Sequence, residues 1–272
     1  MDTNKKRPDN RRFDNKKGYN GRPRQREHDD DGELLLEGKN AVLEAVEGGR
    51  EIDKIIFSSG SQKTVGHIIA KARQRGIIVM ETDRHKLDRM SITGSHQGII
   101  AMCAAANYSS MEDILSLAAA RGEKPLVIIC DGVTDPHNLG AIIRTAEVSG
   151  AHGVVIPRRR SAGLNAACAK AAAGALEHLP VAKCQNIQQA LEFFKEKGLF
   201  IFAADMGGRP MYEADLTGPA AIVIGAEGEG LSRLARENSD FIVSIPQKGK
   251  IQSLNASNAA AVLMYEALRQ RG

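Results

Sequence analysis

Pro125-Leu-Val-Ile-Ile-Cys130-Asp131-Gly-Val-Thr-Asp135-Pro-His-Asn138-Leu-Gly140-Ala-Ile-Ile-Arg144-Thr-Ala146 decides the fold class. Residues 126–130 form a short apolar run rich in β-branched side chains, as strands covered on both faces do. After a polar loop, Leu139, Ile142, Ile143 and Ala146 fall at i, i+3, i+4 and i+7, which predicts a helix over 139–149 with one buried stripe. Arg144 lies at the margin of that stripe, about 100° around from Ile143. The same alternation recurs downstream. Strands are expected at 153–156, 199–204, 220–224 and 241–245, and helices at 161–174, 186–197, 231–238 and 255–270. Strands alternating with helices predict an α/β domain over 125–272 with a parallel sheet. Chemistry is then expected in loops beyond the carboxyl ends of strands.

A smaller α/β unit is expected over 34–105. Its signals are a helix at 40–47 closed by Gly48-Gly49, a strand at 54–57, a helix at 65–75 closed by Gly76, a strand at 77–80, a helix at 83–90 and a strand at 98–104. Glycines at such helix ends accept the left-handed conformation of a C-cap. Residues 106–124 read as a linker, with an amphipathic stretch at 111–120 that leads into the boundary Gly122-Glu123-Lys124-Pro125.

The net charge of +4 conceals an asymmetry. Residues 1–26 hold ten bases against three acids, or +7, which leaves −3 for residues 27–272. Residues 1–33 have too little aliphatic surface to order themselves and are expected to be a disordered basic tail that serves as a nucleic-acid arm. No apolar run approaches the roughly 20 residues needed to span a bilayer. The four cysteines include no C-x-x-C pair and the histidines no ligand spacing, so a reduced, cytoplasmic protein without metal is expected. With no Trp and 4% aromatic residues, a base-stacking platform is disfavoured.

Three loops follow strands. The first holds Asn138, placed where an N-cap belongs, and leads to Arg144. The second reads Gly225-Ala-Glu227-Gly228-Glu229-Gly230, whose glycines let backbone approach a ligand. Its spacing is not that of a dinucleotide fold. The third runs from Ile245-Pro246 to Ser253-Leu254-Asn255, followed by Ala256-Ser257-Asn258. Taken singly, each residue has an ordinary use: Asn138, Ser253, Asn255 and Ser257 cap helices, Arg144 pairs with an acid, and Glu227 is solvated.

Taken together, the three loops resemble in order and spacing the signature motifs of the SpoU/TrmH (SPOUT) RNA methyltransferases. The matches are D-P-x-N-x-G-A-[IL]-x-R-[ST]-A at 135–146, G-x-E-x-x-G at 225–230 and I-P-x-x-G-x-x-x-S-L-N at 245–255. Arg160-Ser-Ala-Gly-Leu-Asn165, Glu37-Gly38-Lys39-Asn40-Ala41-Val42 and His96-Gln97-Gly98-Ile99 resemble the branch of bacterial 23S rRNA guanosine 2′-O-methyltransferases. The likeness covers 34–272. Gln247-Lys248 and Ala256-Ser257-Asn258 depart from the usual third motif, and polar Asn258 falls on a helix face that is normally buried.

The resemblance implies a C-terminal parallel-sheet α/β domain with a deep trefoil knot, plus a small L30e-like α/β N-terminal domain that binds RNA. It also implies S-adenosylmethionine as cofactor, held at Gly225, Ile245 and Leu254, an RNA substrate and a homodimer. Arg144 would sit at the target ribose, with Asn138, Glu227, Ser253 and Asn255 holding arginine and ribose in place. A tRNA ribose methyltransferase, or a non-catalytic factor binding ribosomal RNA precursors, are the alternatives.

Overall fold

The computed structural model describes residues 1, 34–250 and 253–272, and the described residues from Leu34 onward form one compact unit built on two sheets. The basic tail lies outside the described residues, as do Ile251 and Gln252.

The first sheet collects β1 (Leu34–Glu37), β2 (Ile52–Ser58), β3 (Ile78–Thr82) and β4 (Ile99–Cys103), in the order β1-β4-β2-β3. Only the β2–β3 pair is parallel. Helices α1 (Lys39–Glu47) and α2 (Gln62–Gln74) cover one face, and α3 (Arg84–Met90) the other. The α2 stripe is Val65, Ile68, Ile69 and Ala72, which packs with Val42, Ile55 and Ile99. Leu87 of α3 packs with Ile56, Ile100 and Met102 on the opposite face. Successive strand residues thus serve opposite faces, as the pleat requires.

The second sheet has six strands, all parallel: β5 (Leu126–Asp131), β6 (Gly153–Pro157), β7 (Val181–Cys184), β8 (Phe200–Pro210), β9 (Ala220–Gly225) and β10 (Phe241–Ser244). Their order is β10-β8-β9-β5-β6-β7. Helices α4 (Met111–Arg121), α5 (Pro136–Val148), α6 (Ala166–Ala172), α7 (Ile187–Glu196), α8 (Arg233–Glu237) and α9 (Ala256–Arg271) flank it. Leu126, Ile128 and Cys130 face a core shared with α5, α6 and α9, while Val127 and Ile129 face one shared with α4, α7 and α8. Both sheet faces are covered, which is why these strands read as unbroken apolar runs. Gly140 lets α5 meet α6 closely, because a Cβ there would lie 2.4 Å from the Cys168 carbonyl oxygen.

The strand order places the site. From β5 the chain moves to β6 and β7 on one side, whereas β9, β8 and β10 lie on the other. The crevice at such a switch point opens beyond the carboxyl ends of the two central strands. The β5–β9 register ends with Asp131 beside Gly225, so the first and second loops emerge together.

A polar joint ties the two sheets. Asp53 of β2 accepts from Lys183 of β7 at 2.6 Å and from the Tyr108 hydroxyl at 2.7 Å. The same hydroxyl accepts from the Leu164 amide at 2.8 Å, and the Lys183 ammonium lies 3.7 Å from the Tyr108 ring centroid. Burial, followed by the Asp53 charge, pushes the Tyr108 phenol well above its ordinary range. It stays protonated.

Candidate active site

Asp131 closes β5, is buried, and accepts from the Ser232 amide at 2.7 Å. That bond pins the chain after the second loop against the strand that begins the first. Helix α5 starts three residues earlier than the apolar stripe indicates. Its N-cap is Asp135, which accepts from the His137 amide at 2.9 Å, and Asn138 is not the cap. Pro136 explains the difference: its fixed φ and missing N–H suit the first helical position. Asn138 is therefore inside the first turn, and it is buried. Its side chain is free of capping and available to the site.

At the carboxyl end of β9, Ala226 and Gly230 exchange two backbone hydrogen bonds of 2.9 Å and close a tight loop. Gly228 and Gly230 have φ of 79° and 70°, which glycine adopts without strain. Gly225 passes so near Gly230 that a Cβ would lie 2.4 Å from its carbonyl carbon. The loop carries Glu227 toward the third loop. There Glu227 accepts a hydrogen bond from the Asn255 amide, so it is not merely solvated.

Asn255 joins the set. Its Oδ1 caps α9, accepting from the Ser257 amide at 2.9 Å, the Ser257 hydroxyl at 2.6 Å and the Asn258 amide at 3.3 Å. Because the oxygen is committed to the helix, the nitrogen must face the other way. Nδ2 donates to Asn138 Oδ1 at 2.9 Å and to Glu227 Oε1. One side chain from each loop thus meets at one amide. The cap that would have been an ordinary structural use of Asn255 is also what aims it.

Two cavities adjoin this cluster. A cleft of about 1610 Å³ is lined by Asp131, Asp135, Asn138, Arg158, Glu227 and residues of the first sheet, among others. A second cavity of about 690 Å³ is lined by Gly225, Ile245, Ser253, Leu254 and Asn255, with Gln247 at its edge. Ala226, Glu227, Glu229, Gly230, Leu231 and Ala256 line both, so the two spaces meet at the second loop. The smaller one lies within the roughly 300–1,000 Å³ of small-molecule sites. Its lining mixes glycines and apolar residues with the charged Asp205, Glu227, Glu229 and Arg236.

Arg144 stands apart. It is exposed on α5, lines neither cavity, and makes no hydrogen bond or ion pair among the described residues. Asn258 is exposed rather than buried against the chain's own core. Sequence reasoning missed Asp131, although its place at a strand's carboxyl end marked it. It also passed over Arg158 and Arg159 of the cleft wall, and it noted Arg160 only as part of the 160–165 likeness, with no role.

The description of the SpoU rRNA Methylase family matches residues 125–265, and that of RNA 2′-O ribose methyltransferase substrate binding matches 35–109. The TrmH family protein YacO of Bacillus subtilis (strain 168), named as a tRNA/rRNA methyltransferase, is 43% identical over 236 residues. That covers 86% of this chain and 94% of that protein. Among solved structures, the SpoU methyltransferase AviRb of Streptomyces viridochromogenes in complex with AdoMet is 26% identical at a TM-score of 0.56, covering 88% of this chain and 91% of that one. The TrmH/SpoU tRNA modifying enzyme of A. aeolicus is 32% identical at 0.51, covering 55% and 76%. This chain belongs to the SpoU rRNA methylase family, and it is an RNA methyltransferase that uses S-adenosylmethionine.

Proposed function

We propose that this chain transfers the methyl group of S-adenosylmethionine to the ribose 2′-hydroxyl of a guanosine in 23S ribosomal RNA. The carrying observation is the Asn255 amide, which holds Asn138 and Glu227 together where the two cavities meet. The smaller cavity suits the cofactor, with Gly225, Ile245 and Leu254 on its wall. The family's trefoil knot would give this wall its main-chain donors and acceptors. The larger cleft then receives RNA.

The cofactor supplies a methyl group on a sulfonium, already a strong electrophile. What remains for the protein is to align the acceptor oxygen and to manage the proton of a weakly acidic hydroxyl. Asn138 keeps its Nδ2 donor for the ribose because its Oδ1 is taken by Asn255. Glu227 lines both cavities where they meet, and Ser253 lines the smaller one. Arg144 lines neither cavity of its own chain, and the motif resemblance alone assigns it to stabilising the developing oxyanion and the neighbouring phosphate. Its exposed, unpartnered position on α5 leaves it open to incoming RNA.

A ribose acceptor accords with the cysteines. All four are buried, and burial pushes the thiols of Cys130 and Cys168 up to about 12. Such thiols are poor covalent nucleophiles of the kind that methylation at a pyrimidine ring carbon uses. Replacing the target nucleotide by its 2′-deoxy form is therefore expected to abolish transfer. Continued methylation of the deoxy substrate would put the methyl on a base instead.

Transfer RNA is the second reading, favoured by the likeness to the A. aeolicus tRNA modifying enzyme. Mass spectrometry of ribosomal and transfer RNA from cells with and without the protein separates the two. A homodimer belongs to the same proposal, with α9 at the interface. Tyr265 and Leu268 of α9 and nearby Tyr212 are exposed apolar side chains of a kind that protein contacts cover. Light scattering at micromolar concentration is expected to give twice the chain mass; a fully active monomer would remove the dimer.

A further inference from the structure

We propose that Arg73, Arg159 and Arg160 form a phosphate-gripping wall that holds two or three backbone phosphates of the RNA beside the target ribose. The inference rests on the RNA methyltransferase reading and assigns the larger cleft's basic side a job that the three signature loops do not perform.

Charge in the cleft is sorted. Three of its four acids are committed near the cavity junction, Asp131 to the Ser232 amide, Asp135 to the start of α5 and Glu227 to Asn255, and the fourth, Glu229, stands in the same second loop. Its arginines gather at the other side. Arg158, Arg159 and Arg160 are consecutive after β6, and Arg158 donates to the Gly76 carbonyl at 3.0 Å. Gly76 in turn donates from its amide to the Arg73 carbonyl at 2.9 Å, which brings α2 of the first sheet alongside. Arg158 is thus a strut between the sheets. The other three are not: the side chains of Arg73, Arg159 and Arg160 are exposed and make no hydrogen bond or ion pair among the described residues. Three unpaired guanidiniums together are unexpected where residues 27–272 carry −3. They are suited to phosphate, whose oxygens match the planar fork of arginine.

The backbone points the same way. Arg160 has φ of 56°, a left-handed conformation that a side chain of its size rarely adopts. The loop is held in this state from outside, since the Ala162 amide donates to the Val133 carbonyl at 2.8 Å and the Ser161 hydroxyl reaches the same oxygen. Glycine would relieve the strain, so a purely structural loop has no need of arginine here. Strain kept where an exposed cation lines a cleft points to use of that cation. The Asp53–Lys183–Tyr108 joint and the Arg158 strut together tie the first sheet to the second. The grip therefore stands in a set relation to Asn138, and bound phosphates fix the register of the ribose without reading its base.

The test is the salt dependence of RNA binding by the full chain with S-adenosylmethionine bound. The probe is an unmodified hairpin RNA of mixed sequence. The variant combines Arg73→Ala, Arg159→Ala and Arg160→Gly, the last chosen because glycine accepts the left-handed backbone. Each lost phosphate contact removes about 0.7–0.9 from the slope of log affinity against log salt, so the slope is expected to fall by about two units. Calorimetric affinity for S-adenosylmethionine is expected to stay unchanged. A companion variant with lysine at all three positions is expected to keep most of the slope, because charge is retained. Equal slopes for wild type and the alanine–glycine variant would overturn the proposal. So would equal losses in the two variants, since folding and not charge would then be the cause. The readout is binding, so a methyl group found on a base would leave the grip standing. Equal slopes, conversely, would leave the ribose assignment standing.

Discussion

Arg144→Ala is expected to slow methyl transfer by roughly 10²–10⁴ at saturating RNA and cofactor, the scale of a positioned catalytic group. Affinity for S-adenosylmethionine is expected to stay as it was. The split follows from position. Arg144 lies on the solvent side of α5 and outside the cavity that Gly225, Ile245 and Leu254 line. The stripe beneath it, Leu139, Ile142, Ile143 and Ala146, is fully buried without its help. Removing the exposed, unpartnered side chain leaves no charge stranded, so stability is expected to move by no more than about 0.5 kcal/mol. Arg144→Lys is expected to recover only part of the rate, because an ammonium restores the charge but not the planar fork. Calorimetry and single-turnover kinetics check the assignment together. Lost cofactor binding with a normal single-turnover rate at saturation would move Arg144 from the ribose side to the cofactor side.

The strongly periodic parts of this fold were legible because both faces of the second sheet are covered and α5 buries a full stripe. Boundaries were less so, and each discrepancy has a local cause. The helix read over 161–174 is confined to Ala166–Ala172, because Asn165 caps it by accepting from the Cys168 amide at 2.9 Å. Strand β7 escaped notice: Val-Ala-Lys-Cys is four residues long and carries a lysine, which is there for Asp53, 130 positions earlier. The misplaced cap at Asn138 has the same character, since the residue is polar for a partner 117 positions away. Glu227 looked solvated because Asn255 is 28 residues downstream. Residues whose purpose is a distant contact leave no trace in local periodicity. The motif resemblance brought Asn138, Glu227 and Asn255 to notice, and the fold supplies the physical reason they act as one. Arg158 and Arg159 belonged to no motif, and Arg160 to a likeness without an assigned chemistry, so only the cleft revealed what the three share.

Asn255→Asp is the sharpest test of that unit, because it changes one atom's chemistry and little else. Aspartate caps a helix about as well as asparagine, and its charge suits a helix N-terminus. The bonds from Ser257 and Asn258 therefore persist, and the melting temperature is expected to change little. The other half of the side chain is reversed. Where Nδ2 donated to Asn138 Oδ1 and to Glu227, an acceptor oxygen now faces both. Asn138 can answer only by turning its own amide, which withdraws the donor proposed for the ribose. Glu227 cannot answer while ionised. A hydrogen bond to a charged group is worth about 1.5–3 kcal/mol, so a loss of roughly 10- to 10²-fold in single-turnover rate is expected. Two neighbouring carboxylates also retain a proton to higher pH than either alone. A shared proton restores a donor at the junction, so the variant is expected to regain part of its rate, relative to wild type, as pH falls. Asn255→Ala has no such proton to gain and is expected to show no relative recovery. Full activity of Asn255→Asp at neutral pH, with the fold intact, would mean that the amide bridge between the loops is only a helix cap.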